Sequence, residues 1–247
     1  MAKTKIEFVC RECGSSHHQW AGQCLDCKEW NTLEEVVISQ ATSSKPESLK
    51  DLPASKVQNL SEIKSQNNHR LSTGLSELDR TLGGGLVDGS VVLIGGDPGI
   101  GKSTLILQAI AAINAANTTL YVSGEESAEQ VSDRAIRLGI KEDILFIGET
   151  HLEKIIKISK DTRPKVIVID SIQTMVTDLS NSAPGSVTQV RDCAAQLTQY
   201  AKQTNTILLM IGHVTKGGAL AGPRILEHMV DAVLYFEGDA GGRYRII

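Results

Sequence analysis

Gly95-Gly96-Asp97-Pro98-Gly99-Ile100-Gly101-Lys102-Ser103-Thr104 is the stretch from which the rest of the chain can be read. Gly96, Gly101, Lys102 and Ser103 occupy the fixed places of the phosphate-loop pattern G-x-x-x-x-G-K-[ST]. Glycines here let backbone N–H groups approach phosphate oxygens where side chains would stand in the way. Lys102 is then expected on the β- and γ-phosphates and Ser103 on magnesium, with Asp97, Pro98, Gly99, Ile100 and Thr104 completing the nucleotide-binding loop. The flanks agree with this. Ser90-Val91-Val92-Leu93-Ile94 reads as a buried strand entering the loop, and residues 103–116 as a helix leaving it with its N-terminal dipole toward the anion. A chance lysine in a glycine-rich turn would require strand, loop and helix to coincide.

Downstream, short apolar runs alternate with helical patterns, which predicts an α/β core with a mainly parallel sheet sandwiched by helices. Strands are expected at 118–123, 144–147, 166–170 and 206–211, and two more around the Asp239-Ala240-Gly241-Gly242 turn. Ser127 and Gln130 form a capping-box signature ahead of Val131, Ala135 and Leu138. Ser76 is expected to cap a short helix carrying Leu78 and Leu82. Cys193 falls in a helical pattern as a buried apolar side chain.

In a parallel sheet the ligand sits beyond the carboxyl ends of the strands. Val166-Ile167-Val168-Ile169-Asp170 therefore brings Asp170 to the nucleotide, where it would hold magnesium through water. Glu125 ends its own run at the same rim and is the candidate for polarising the attacking water, with Glu126 its rival. Gln173 or His213 is placed to sense the γ-phosphate. Residues 177–186, polar and containing Pro184 and Gly185, read as a mobile loop. Residues 216–224, with Lys216 and Arg224 its only charges, suit a phosphate backbone, or a simple flexible crossover.

Four of the five cysteines lie in the first 27 residues as Cys10-x-x-Cys13 and Cys24-x-x-Cys27. Paired knuckles of this kind turn four thiolates toward one tetrahedral zinc. About thirty residues are too few to fold on apolar burial alone, so the metal is expected to be structural. His17 and His18 read as solvated, and Trp20 and Trp30 as the module's miniature core. Residues 39–69, rich in Ser, Lys, Pro, Gln and Asn, read as a flexible linker with short pieces near 56–63. The expected division is thus a zinc ribbon at 1–38, a linker at 39–69 and an ATPase core at 70–247.

Over 247 residues, 41% hydrophobic and 22% charged content excludes a disordered chain, and no apolar run is long enough to cross a membrane. The Met-Ala-Lys-Thr-Lys start lacks the apolar stretch of a secretory signal, so a cytoplasmic protein is expected. A net charge of −4 supplies no global attraction to nucleic acid, which leaves any such binding to a local basic surface.

The cysteine module, Thr73-Gly74-Leu75-Ser76-Glu77-Leu78-Asp79, the phosphate loop, Tyr121-Val122-Ser123-Gly124-Glu125-Glu126-Ser127, Val166-Ile167-Val168-Ile169-Asp170-Ser171-Ile172-Gln173-Thr174, Gly212-His213-Val214-Thr215-Lys216 and Leu226-Glu227-His228-Met229-Val230-Asp231 follow one another in fixed order. That order resembles the RadA (Sms) family of bacterial recombination and repair ATPases, through essentially the whole chain except the linker. The resemblance implies a RecA-like ATPase core using ATP and Mg2+, a homo-hexameric ring on single-stranded or branched DNA, and branch migration of recombination intermediates alongside RecA. It further implies that Cys10, Cys13, Cys24 and Cys27 bind zinc, that Glu125 is the catalytic acid beside Lys102, that Asp170 is the magnesium-side acid, and that the loops after Gln173 and His213 face DNA. Two departures stand out. Gly217 follows Lys216 where the family usually carries an acid, and the chain stops at Ile247, before the family's K-N-R-F-G motif and its domain resembling the Lon protease. The expectation is a truncated product that keeps zinc and some nucleotide binding, hydrolyses ATP weakly and assembles poorly. The residues leave two other readings open: a KaiC-like regulatory ATPase acting on a protein partner, and a zinc-dependent adaptor with a vestigial core.

Overall fold

The computed structural model describes residues 5–10, 15–26, 28–38, 59, 70–180, 182–213, 226–238 and 245–246. The chain divides into two compact units, residues 1–69 and 70–247. Residues 39–69, expected to be a linker, lie outside the described residues apart from Asn59.

The amino-terminal unit holds a three-stranded antiparallel sheet in the order β2-β1-β3, with β1 at Lys5–Cys10, β2 at Ser16–His17 and β3 at Leu33–Ile38. Cys10 N–H donates to Ser15 O and Cys24 N–H to Glu29 O, both at 2.9 Å, so the first cysteine of each pair is tied by its amide to a residue five positions on. Cys10, Cys24 and Leu33 are buried together with Phe8 and Ala21 packed beside them. Trp20 and Trp30 are not the core of this unit. They are 60% and 68% exposed, with Gly22 between the indoles. Among the described residues, the buried apolar set is Cys10, Cys24 and Leu33, and neither indole joins it. His17 is also not solvated: its Nε2 lies 3.1 Å from Ser15 Oγ and 3.5 Å from Cys24 Sγ, whereas His18 is exposed.

The larger unit is built on a seven-stranded sheet. Its elements are α1 (Ser76–Thr81), β4 (Val91–Gly96), α2 (Lys102–Asn114), β5 (Thr119–Ser123), α3 (Ala128–Arg137), β6 (Leu145–Gly148), α4 (Leu152–Thr162), β7 (Val166–Asp170), α5 (Val187–Thr204), β8 (Ile207–Ile211), β9 (Ala232–Gly238) and β10 (Arg245–Ile246). The strand order is β10-β9-β4-β8-β7-β5-β6, parallel throughout except for β10. Both faces are covered, which is why the strands read as unbroken apolar runs. Val92 and Ile94 pack against Ile106, Ile110 and Ile113 of α2 on one face. Val91 and Leu93 face the layer formed by α4 and α5, with Leu152, Ile155, Val190 and Leu197. Each such side chain contributes about 1.5–3 kcal/mol by leaving water.

Two sequence expectations shift locally. Ser76 is the first helical residue of α1 rather than its cap, and Leu75 at the cap makes no side-chain bond. The turn is held instead by Asp79, which accepts from Thr73 N–H at 2.8 Å, Thr73 Oγ1 at 2.7 Å and Ser72 Oγ at 2.6 Å. The helix α2 starts one residue earlier than expected, because Gly101 is the left-handed residue before it. The Ser127–Gln130 capping box is formed in full. Among the described residues, no helix is long and apolar enough to cross a membrane.

Candidate active site

The strand order brings four loops to one rim. The phosphate loop follows β4, His213 follows β8, Asp170 ends β7, and Glu125 lies just past β5. These strands are consecutive neighbours in the sheet, so the four groups form one row.

The phosphate loop has positive φ at Gly96, Gly99 and Gly101. A Cβ at Gly96 would stand 2.5 Å from Phe236 O on the neighbouring β9, so that position admits no side chain. Gly99 has nothing within 4 Å of where a Cβ would be, and its φ of +76° rather than crowding is what favours glycine there. Lys102 is 4% exposed and donates from Nζ to Gly96 O at 2.7 Å and Asp97 O at 2.9 Å, with His213 Nδ1 at 3.3 Å. Burial lowers its pKa, and the charges of Asp170, Glu125 and Asp97 work against that.

Asp170 is 3% exposed. Burial raises its carboxyl above the usual range, while the Tyr121 hydroxyl and Ser103 donate to it and the charges of Glu125 and Glu126 push it further up. A buried carboxylate with two other acids nearby is a poor resting place for charge unless a cation shares it. Together with the Ser103 hydroxyl at the helix start, this donor set fits Mg2+.

The two adjacent glutamates part company. Glu126 pairs with Arg134 of α3, and its own N–H donates to Ser123 Oγ at 2.9 Å. Glu125 turns inward along the row: Ser171 Oγ donates to its Oε1, and His213 Nε2 lies 3.0 Å from Oε1 and 3.3 Å from Oε2. The His213 contact holds the Glu125 carboxyl below its ordinary range, against burial, with Ser171 and Lys102 adding to the effect. A protonated Lys102 can only donate to His213 Nδ1, so the neutral ring carries its proton on Nε2, toward Glu125. Gln173 Nε2 lies 3.4 Å from His213 O.

The loop expected to be mobile at 177–186 is anchored at its start: Thr177 is buried and donates to Glu153 Oε1 at 2.6 Å. Lys216 and Arg224 fall outside the described residues, as do Cys13 and Cys27. Of the cysteine quartet, Cys10 and Cys24 are described, both 1% exposed, with Cys10 Sγ 3.2 Å from Thr32 Oγ1 and Cys24 Sγ 3.3 Å from Ser15 Oγ. The ligand atoms of Cys24, His17 and Asp26 lie within 4.8 Å of one another, a sulfur, nitrogen and oxygen set of the kinds that zinc takes. Sequence reasoning passed over Tyr121, Ser171 and Arg134. The available signal was a hydroxyl in an otherwise apolar strand for Tyr121 and an arginine two turns past a double glutamate for Arg134.

A parallel sheet covered on both faces, with a glycine cradle, a buried lysine and two acids at its carboxyl rim, defines a P-loop nucleotide-binding core of the RecA-like class. Residues 58–219 match the AAA domain family model, and residues 8–35 match the rubredoxin metal-binding domain model. The chain belongs to the AAA-domain family. Over its full length it is 53% identical to the DNA repair protein RadA of Pseudomonas aeruginosa, 48% to that of Escherichia coli and 46% to that of Bacillus subtilis. It spans 55% of the length of each of these relatives.

Proposed function

We propose that the chain hydrolyses ATP in the service of DNA repair, and that the row Lys102, His213, Asp170 and Glu125 carries the reaction. In this reading the loop backbone and Lys102 hold the β- and γ-phosphates. Ser103 and Asp170 would hold Mg2+, which when bound supplies charge neutralisation on the phosphates. Glu125 orients a water for attack on the γ-phosphorus and accepts its proton as the new P–O bond forms, while the bond to the ADP oxygen breaks. His213 and Gln173 lie where the loss of the γ-phosphate at Lys102 would be felt. Cys10, Cys13, Cys24 and Cys27 hold zinc as a structural staple of the ribbon. Lys216 and Arg224 contact the DNA backbone. The finer reading is branch migration of recombination intermediates on single-stranded DNA, as a ring and alongside RecA.

The observation that supports the reading best is the divergence of the two glutamates. One acid is tied to Arg134, and the other is delivered to the row that holds the phosphate-loop lysine. The names of the relatives supply the link to DNA repair. The test is ATP turnover with and without single-stranded DNA, beside a Lys102→Ala variant. DNA-stimulated turnover that disappears in Lys102→Ala is expected. Turnover indifferent to DNA would favour a regulatory ATPase whose partner is a protein.

A further inference from the structure

We infer that Ser171 is a positioning residue that decides which oxygen of Glu125 is left to hold the attacking water. The inference rests on the ATPase reading above. Ser171 is fully buried, and its hydroxyl donates to Oε1 of Glu125. The same oxygen is the nearer of the two to His213 Nε2, at 3.0 Å against 3.3 Å for Oε2. Oε1 is therefore filled by two donors of the chain, and Oε2 keeps the greater accepting capacity. A carboxylate has about four lone-pair sites on its two oxygens, so this asymmetry fixes where a water can be received.

The serine is itself held in place. Its carbonyl accepts from Thr174 N–H at 3.2 Å and from Thr174 Oγ1 at 2.8 Å, which closes the single 3-10 turn Ile172–Thr174 onto it. Glu125 is locked to the same turn from its backbone side. Gly124 N–H donates to Asp170 O at 2.8 Å, and a Cβ at Gly124 would stand 2.1 Å from Thr174 Oγ1. Ser171 also follows Asp170 directly, so the magnesium-side acid and the water-side acid are referred to one rigid segment. Catalysis through an oriented water depends on such fixation, because a displacement of about 1 Å can cost roughly a hundredfold in rate. The charged and titratable groups facing Glu125 are His213 beyond β8, Lys102 of α2 and Asp170 at the end of β7. Ser171 is a donor with no ionisable group, so its removal changes the orientation of Glu125 without changing the charge of the row.

The experiment is single-turnover hydrolysis of ATP by the unsubstituted chain, Ser171→Ala, Ser171→Cys and Lys102→Ala, over a range of pH, with ATP affinity and thermal melting measured for each. In Ser171→Ala the hydrolytic step should slow by about tenfold to a hundredfold, with ATP affinity unchanged. The acid limb of its rate profile should move to higher pH, since a donor to the ionised carboxylate is gone. Ser171→Cys should fall between, because a thiol donates weakly. A folded Ser171→Ala chain that binds ATP and retains both rate and acid limb overturns the inference. Should Ser171→Ala fail to fold, the comparison passes to Ser171→Cys, and an unchanged rate and limb there overturn it equally. If the unsubstituted chain shows no hydrolysis dependent on Lys102, the ATPase reading falls and the inference falls with it. That outcome is distinct from one in which hydrolysis is present and Ser171 is irrelevant.

Discussion

Nε2 of His213 lies 3.0 Å from Oε1 of Glu125, and the other nitrogen of the same ring faces Lys102. The strand order explains the placement, because β8 lies between the phosphate-loop strand β4 and the Asp170 strand β7. A residue just past β8 is thus the natural bridge between the lysine and the acids. An incoming phosphate competes for the Lys102 donors with Gly96 O, Asp97 O and His213 Nδ1, of which the first two belong to the loop backbone and the third to a side chain. The imidazole is the partner free to respond, and its other face is on the acid proposed to hold water.

The separate fates of Glu125 and Glu126 predict opposite phenotypes for two adjacent isosteric changes. Glu125→Gln should reduce single-turnover hydrolysis by about two orders of magnitude or more while ATP still binds. Glu126→Gln should hydrolyse far better, yet lose about 1–3 kcal/mol of stability, because Arg134 keeps its charge in a half-buried site with its partner neutralised. Hydrolysis assays paired with urea melts of both variants separate the two. A pattern reversed between them would return the catalytic assignment to Glu126.

Gly124 offers a structural test that does not rely on chemistry. A methyl at this position would meet Thr174 Oγ1 at 2.1 Å and Thr174 Cβ at 2.8 Å. Gly124→Ala should therefore destabilise the chain by about 1–3 kcal/mol, the usual cost of overpacking. Thr174→Ala removes the obstructing hydroxyl, so the double variant should lose less than the sum of the two single ones, a coupling readable from a double-mutant cycle of melting curves.

The sheet and the phosphate loop were legible because both carry local signatures: continuous β-branched runs for strands buried on both faces, and glycines at fixed spacing for a backbone that must approach an anion. Asp170 and Glu125 were legible for a related reason, since an acid at the end of such a run lands on the carboxyl rim. The choice between Glu125 and Glu126 was not, because it depends on Arg134, a residue of the next helix whose reach no spacing rule reports. Ser171 was hidden by its neighbour, as a serine after a strand-ending aspartate reads as an ordinary turn. The tryptophans were misread for the opposite reason. Large aromatic side chains suggest a core, but among the described residues the ribbon's buried apolar set is two cysteines and a leucine.

Glu149 carries a pH prediction with a defined sign. Its Oε1 accepts from His151 N–H and Thr150 N–H, each at 3.0 Å, and Lys154 Nζ lies 3.0 Å from Oε2. Those bonds, the one from His151 first, hold its carboxyl at about 2. The folded value lies below the unfolded one, near 4.3, so the stabilisation is complete above that pH and is lost as pH falls from there through about 2. Lys154 is 63% exposed, so water screens its share of the effect. Glu149→Gln should cost about 1 kcal/mol at pH 7 and converge with the unsubstituted chain near pH 2, as read from urea melts at the two extremes. A difference that stayed constant with pH would show that ionisation of Glu149 does not contribute.

Trp20 and Trp30 are the only tryptophans of the chain, and both belong to the cysteine module, so tryptophan emission reports on that unit alone. If zinc replaces the missing core, removing it should release the module without touching the sheet. A strong chelator, or Cys24→Ser, should abolish retained zinc and lower the tryptophan anisotropy, while ATP binding by residues 70–247 persists. The exposure of the two indoles adds a sharper expectation. Trp20→Ala and Trp30→Ala should each leave zinc retention intact and stability within about 0.5 kcal/mol, as for surface substitutions. Loss of zinc on truncating either tryptophan would mean that the indoles support the site after all, and a chelated protein with unchanged anisotropy would mean that the ribbon folds without metal.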